Sequence, residues 1–128
     1  LDELAQLYDL KDVGFDRWGA TQLIQDLQDD GLNVVLIGQG FASMTAPTKE
    51  LEKLIVAGAI RHGNNPVLSW MASNVVTTMD AAGNVKPDKE HSTERIDGIV
   101  ALVMAIDRLS RRSKEDSAYS GDRGLTIL

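Results

Sequence analysis

The chain has 128 residues, 43% of them hydrophobic and 25% charged, a net charge of −6 and no cysteine. That length is enough for one domain with a real core. The lack of cysteine excludes a disulfide framework and a thiolate metal site and fits a reducing compartment, and the acidic balance argues against a protein that simply coats nucleic acid. No apolar run approaches the roughly 20 residues of a membrane helix, and no signal peptide is visible. The charge is uneven: residues 1–60 hold 4 basic and 10 acidic side chains, residues 86–114 hold 7 basic and 5 acidic ones. Acidity overall with one local basic surface is compatible with an enzyme that touches nucleic acid there and holds metal with carboxylates. The chain opens on Leu1, directly in a helical pattern, and reads as a piece of a longer protein.

Leu1, Leu4, Ala5, Leu7 and Tyr8 recur at helical spacing, which predicts a short amphipathic helix over residues 2–9. Residues 13–16 (VGFD) read as a short strand ending on Asp16, and Arg17, Trp18 and Gly19 as a turn. A second helix is expected from Ala20 to Asp30, with Leu23, Ile24 and Leu27 as its apolar stripe and Gly31 as its stop. Residues 33–38 (NVVLIG) form an apolar run bounded by turn formers, as expected of a strand covered on both faces. Strand, helix, strand at this spacing is a βαβ unit with parallel strands. In such sheets functional groups collect just past the carboxyl ends of strands, and Asp16 sits at one. Gly38 and Gly40 begin a dinucleotide fingerprint, but position 43, where its third glycine belongs, is Ser, so the stretch reads as a loop.

Pro47 marks the first turn of the next helix, which buries Leu51, Leu54, Ile55 and Ala59 and weakens at Gly58. After a polar turn at residues 61–65, Pro66 begins a short helix to about Ser73, with Val67, Trp70 and Met71 facing inward. The two tryptophans, Trp18 and Trp70, read as core or rim packing. His62 and His91 have no metal-ligand spacing and read as bystanders. Residues 75–79 (VVTTM) have strong strand propensity, residues 80–84 make a turn and residues 85–86 a short return strand, together a β-hairpin.

Lys86, Lys89 and Arg95 lie between the hairpin and the last helix; each taken alone reads as solvated surface. Ser92 is the expected cap of that helix, with Glu94 in its first turn. Its stretch from Ile96 to Ile106 is apolar or small everywhere except Asp97, which predicts a helix buried on all sides. A charge on such a helix is expensive to bury unless something pairs with it or coordinates it. Gly98 beside it implies a close approach to the backbone, at a cost of roughly 1 kcal/mol relative to alanine. The helix is expected to end near Arg112, where Arg108, Arg111 and Arg112 suit the negative end of its dipole. Residues 113–128 read as a polar tail or linker.

Two acids thus stand out by position: Asp16 closing a strand and Asp97 opening a helix. Carboxylates converging from different elements suit hard cations such as Mg²⁺ or Mn²⁺. Two such ions can bind the attacking and leaving oxygens of a phosphodiester cleavage. That chemistry needs at least two carboxylates, usually three, and the side chains of Asp16 and Asp97 within about 5 Å of one another around a divalent ion would support it.

Residues 13–22 (VGFDRWGATQ), 38–44 (GQGFASM), 62–67 (HGNNPV) and 86–102 (KPDKEHSTERIDGIVAL), in this order, resemble the nuclease domain of tailed-phage terminase large subunits. The resemblance covers residues from about 12 to 110 and implies an α/β, ribonuclease H-like fold. It implies metal-dependent cutting of concatemeric double-stranded phage DNA, with a two-metal site of Mg²⁺ or Mn²⁺ in the complete domain. The family's strand-closing Asp falls on Asp16 and the acid of its Ile-Asp-Gly motif on Asp97, both as metal ligands. Lys86, Lys89 and Arg95 are candidate DNA contacts by charge and place in the chain, not by a family motif. The family's first acid, on the opening strand of the sheet, and two further strands would precede Leu1. Residues 1–112 therefore read as the later part of such a domain, its first strands missing. The open edge of strand 13–16 is expected to dimerise or be covered, and the fragment to be weak or inactive. The small terminase subunit and the portal protein would be partners, and the bacterial host cytoplasm the place of action. Two other readings compete: a different ribonuclease H-like nuclease of resolvase or integrase type, and a non-catalytic docking module for DNA or the portal protein in which Asp97 is structural.

Overall fold

The computed structural model describes residues 1–16, 18 and 21–126, with side chains through residue 120. The predicted turn at Arg17 and Gly19, the helix start at Ala20 and the last two residues of the predicted tail lie outside the described residues. The elements are α1 (Asp2–Leu7), β1 (Val13–Asp16), α2 (Thr21–Asp29), β2 (Val34–Ile37), α3 (Phe41–Val56), α4 (Pro66–Asn74), β3 (Thr77–Met79), β4 (Val85–Pro87) and α5 (Asp97–Thr126). They fall into two compact units, Leu1–Gln39 and Gly40–Leu128.

In the first unit, β1 and β2 pair in parallel, Val13 opposite Val34 through Asp16 opposite Ile37. The expected βαβ arrangement is present, with α2 as the connection. Helix α2 ends where the sequence places a glycine. Gly31 takes φ +83, its N–H reaches the Gln28 carbonyl and that of Leu32 the Leu27 carbonyl, at 2.9 and 3.0 Å. This closed end satisfies carbonyls that a helix terminus leaves open. Leu27 and Ile37 are the buried apolar residues here. β2 is not covered on both faces: Leu36 is 55% exposed, because its side chain alternates away from that of Ile37. The apolar side of α1 is likewise open, with no buried residue, and Trp18 is 86% exposed, so it is not a core residue.

The second unit is built on α5. Met44 and Leu51 of α3 pack with Ile96, Ile99, Val100, Val103 and Ile106, and Leu68, Met71 and Val75 close the cluster. α5 is not buried on all sides. The buried positions recur at spacings of three and four, while Ala101 and Ala105 are exposed. The apolar run thus forms one stripe, with small residues on the opposite side.

Several boundaries differ from expectation. α3 begins at Phe41, with Gly40 in extended conformation as its cap, the N–H groups of Ser43 and Met44 reaching the Gly40 carbonyl. Pro47 is therefore inside the helix and buried, where it removes one backbone bond; packing in the core outweighs the penalty of about 3 kcal/mol. α4 starts as expected at Pro66, capped by Asn65, whose Oδ1 accepts from Val67 and Leu68 N–H at 3.0 Å each. It is rolled relative to the expectation: Leu68 and Met71 face the core, Val67 and Trp70 are exposed. α5 begins at Asp97, five residues after Ser92, and runs through Thr126 instead of ending near Arg112. Residues 113–120 contain neither Pro nor Gly and continue it. Asp107, buried, takes both carboxylate bonds from Arg111 Nε at 2.9 Å, so this arginine serves its own helix.

The expected hairpin is present, its first strand starting at Thr77 instead of Val75 and its return strand reaching Pro87, with Thr77 opposite Pro87 through Met79 opposite Val85. It docks on α3 through β4, where Val85 N–H donates to Thr45 Oγ1 at 3.1 Å. Among the described residues, no helix is long and apolar enough to cross a membrane.

Candidate functional site

Asp16 is the last residue of β1, half-buried. Its Oδ1 is buried and has no hydrogen-bond partner among the described residues. Buried polar atoms are nearly always satisfied, so an orphaned one calls for a reason. An acceptor-only carboxylate oxygen with open lone pairs is the donor type that a hard cation takes.

Asp97 stands in the first turn of α5. It is not buried: its side chain is 61% exposed, and Lys89 Nζ lies 3.2 Å from Oδ1. The expectation of a costly buried charge is thus corrected, since Asp97 points off the buried stripe into solvent. Gly98 explains itself by packing. Met71 Sδ accepts its N–H at 3.1 Å, and a Cβ there would stand 2.8 Å from the same sulfur. The approach to the backbone inferred from the glycine comes from the thioether of α4.

The loop before Asp97 is held at several points. Asp88 N–H donates to the Val76 carbonyl at 2.8 Å. Asp88 Oδ1 accepts from Glu90 and His91 N–H, and Oδ2 pairs with His91 Nδ1 at 2.8 Å. Ser92 is not the cap of α5: its hydroxyl accepts Val76 N–H at 3.1 Å and donates to the Asp88 carbonyl. Farther on, the Arg95 carbonyl accepts from Asn74 Nδ2 at 3.4 Å. The hydrogen bonds to His91 hold the Asp88 carboxyl below the usual carboxylate range, and the same carboxylate raises His91. His91 is therefore no bystander in this loop. Its signal in the sequence is the Asp three positions before it.

Lys89, Ser92, Glu94, Arg95, Ile96 and Asp97 line an open depression of about 350 Å³. Lys86 does not line it; its ammonium sits 5.2 Å from the centre of the Phe41 ring, bracing β4 on α3. Of the three basic residues singled out in the sequence, the fold brings Lys89 and Arg95 together around Asp97. Asp16 belongs to the first unit and Asp97 to the second. Among the described residues, no group of three or more His, Asp or Glu side chains could hold a metal ion.

Residues 3–113, a span holding both acids, match the family model described as terminase large subunit, endonuclease domain. The chain belongs to that family. The terminase large subunit of Enterobacteria phage HK97 is 45% identical over 101 residues, covering 77% of this chain and 20% of the relative. Protein YmfN of Escherichia coli K12 is 43% identical over 104 residues, covering 80% and 23%. Among solved structures, the crystal structure of the HK97 large terminase superposes with a TM-score of 0.73 at 41% identity, over 84% of this chain and 23% of that one. This terminase nuclease chain thus shares an α/β fold with the HK97 enzyme over most of its length. It spans about a fifth of the length of the relatives it matches.

Proposed function

We propose that this chain is the later part of a ribonuclease H-like, metal-dependent endonuclease that cuts concatemeric double-stranded DNA during phage DNA packaging. The observation that carries the reading is the family match across residues 3–113, in which both singled-out acids fall. Asp16 and Asp97 are the metal ligands, with one further acid expected from the complete domain. The orphaned Asp16 Oδ1 is the local feature that suits this role.

Mg²⁺ or Mn²⁺ bound there would supply Lewis acidity for phosphodiester hydrolysis by the two-metal route. The chain's own residues do the rest. Asp16 and Asp97 supply anionic oxygens, and Arg95 and Lys89, on the rim of the depression beside Asp97, receive the DNA backbone. Lys86, engaged with Phe41, takes a lesser part in that contact. The partners are double-stranded DNA, the small terminase subunit and the portal protein, and the work is done in the cytoplasm of the bacterial host. Alone, the chain is weak or inactive, and the edge of β1 opposite β2 is paired with a second copy or covered by a rearranged segment.

Plasmid cleavage by the intact protein in Mn²⁺ tests this reading. Activity lost in both Asp16→Asn and Asp97→Asn supports it. Activity retained in either removes that acid from the site. A second reading, a non-catalytic module docking on DNA or the portal protein, is favoured by one observation: Asp97 is exposed and already carries Lys89 as its counterion. Under that reading Asp97→Asn leaves cleavage untouched.

A further inference from the structure

Lys89 reaches Asp97 across eight positions of chain, and its backbone is not free to wander. The preceding residue is fixed to the residue just before β3 through Asp88 N–H and the Val76 carbonyl. The following two have their N–H groups on Asp88 Oδ1, and Ser92 ties the end of the turn back to Val76. From this braced turn the ammonium lands 3.2 Å from Asp97 Oδ1. The braced turn fixes where the Lys89 side chain starts, within reach of Asp97.

The geometry points to Lys89 as the resident cation of Asp97, occupying the carboxylate in the absence of a divalent ion and yielding to it. This inference rests on the reading of Asp97 as a metal ligand. A divalent ion on the same carboxylate would stand within about 5 Å of the ammonium, where like charges repel. Metal binding therefore displaces Lys89 from Oδ1. The freed ammonium remains on the rim of the same depression, beside Arg95, where a DNA phosphate would arrive. Lys89 opposes metal loading in the absence of DNA and assists DNA binding once metal is loaded. The site is then biased against taking up metal before its substrate.

The test is Mn²⁺ binding to the intact protein without DNA, followed by calorimetry and by the Mn²⁺ paramagnetic resonance signal. Lys89→Gln is expected to tighten Mn²⁺ about two- to fivefold, the size of effect an exposed pair exerts. Lys89→Arg keeps the charge and is expected to stay near the wild-type affinity. Both positions are solvent-facing, so neither change threatens the fold. Unchanged or weaker Mn²⁺ binding in Lys89→Gln, with binding lost in Asp97→Asn, overturns the role of Lys89 alone. Equal Mn²⁺ binding in Asp97→Asn and wild type overturns the metal-ligand reading itself, and the inference with it.

Discussion

The two acids sit in opposite kinds of surroundings. Asp16, at a strand end, has a buried oxygen with no described partner; Asp97, at a helix start, is open to water and carries an ammonium. The elements that present them differ as well. The β1–α2–β2 unit buries Leu27 and Ile37, whereas the unit holding Asp97 has a contiguous cluster around Val103, which has no exposed surface at all. A strand end sets a carboxylate by backbone register with its neighbour, and the desolvation comes with the position. A helix start sets a carboxylate by seating the helix, and the charge can stay solvated. Two carboxylates can thus be set by the fold in two ways, one with an oxygen short of partners and one paired in the open.

Breaking the larger core should have the largest effect. Met44→Ala, at a residue 2% exposed, is expected to cost about 2–5 kcal/mol of unfolding free energy. Leu36→Ala in β2 should change it by about 0.5 kcal/mol or less, because that side chain is mostly exposed. Denaturant melts of the two variants compare the units directly. Equal losses would mean that the first unit relies on its apolar surface as much as the second.

The acids themselves give a smaller effect. Asp16→Asn relieves a buried charge without a described partner and adds a donor, so stability should hold or rise by up to about 1 kcal/mol. Asp97→Asn removes an exposed pair and should lower it by less than about 1 kcal/mol. Opposite signs in thermal melts sharpen the contrast, and a clear loss at Asp16 would show that its carboxylate has a stabilising partner.

The smallest effect concerns pH in the turn that carries Lys89. His91 is raised by Asp88, so its contribution is complete below the ordinary histidine value of 6.5 and fades as pH rises through the higher folded value. Asp88 is lowered, so its contribution is present above the ordinary 3.8 and fades as pH falls through the lower folded value. The turn is therefore firmest between those limits. An NMR titration of His91 should give a midpoint above 6.5, returning towards it in Asp88→Asn. A midpoint at or below 6.5 in the wild type would dissolve the pair.

What the sequence made legible was local chemistry. The strand ending on Asp16, the Gly31 stop, the Pro66 start and the hairpin each follow from a few adjacent residues. What stayed hidden depended on distant partners. Ser92 reads as a helix cap until Val76 N–H takes its hydroxyl. Pro47 reads as a first turn until Gly40 starts the helix earlier. The apolar run of α5 could not reveal which side would be covered, so Asp97 was expected among buried neighbours instead of beside Lys89. For the site, residue type and motif order singled out both acids, while the role of His91 lay in a pairing across one turn that spacing for metal ligands does not detect.

Helix α5 has a further consequence. It is 30 residues long, yet the buried positions on it stop at Asp107, and none from Arg108 to Ser120 is buried. At 1.5 Å per residue the whole spans about 45 Å, of which roughly the first third does the seating. The acid at its head is thus anchored by the stripe that ends at Asp107, and the placement of that carboxylate is settled within the helix's opening turns.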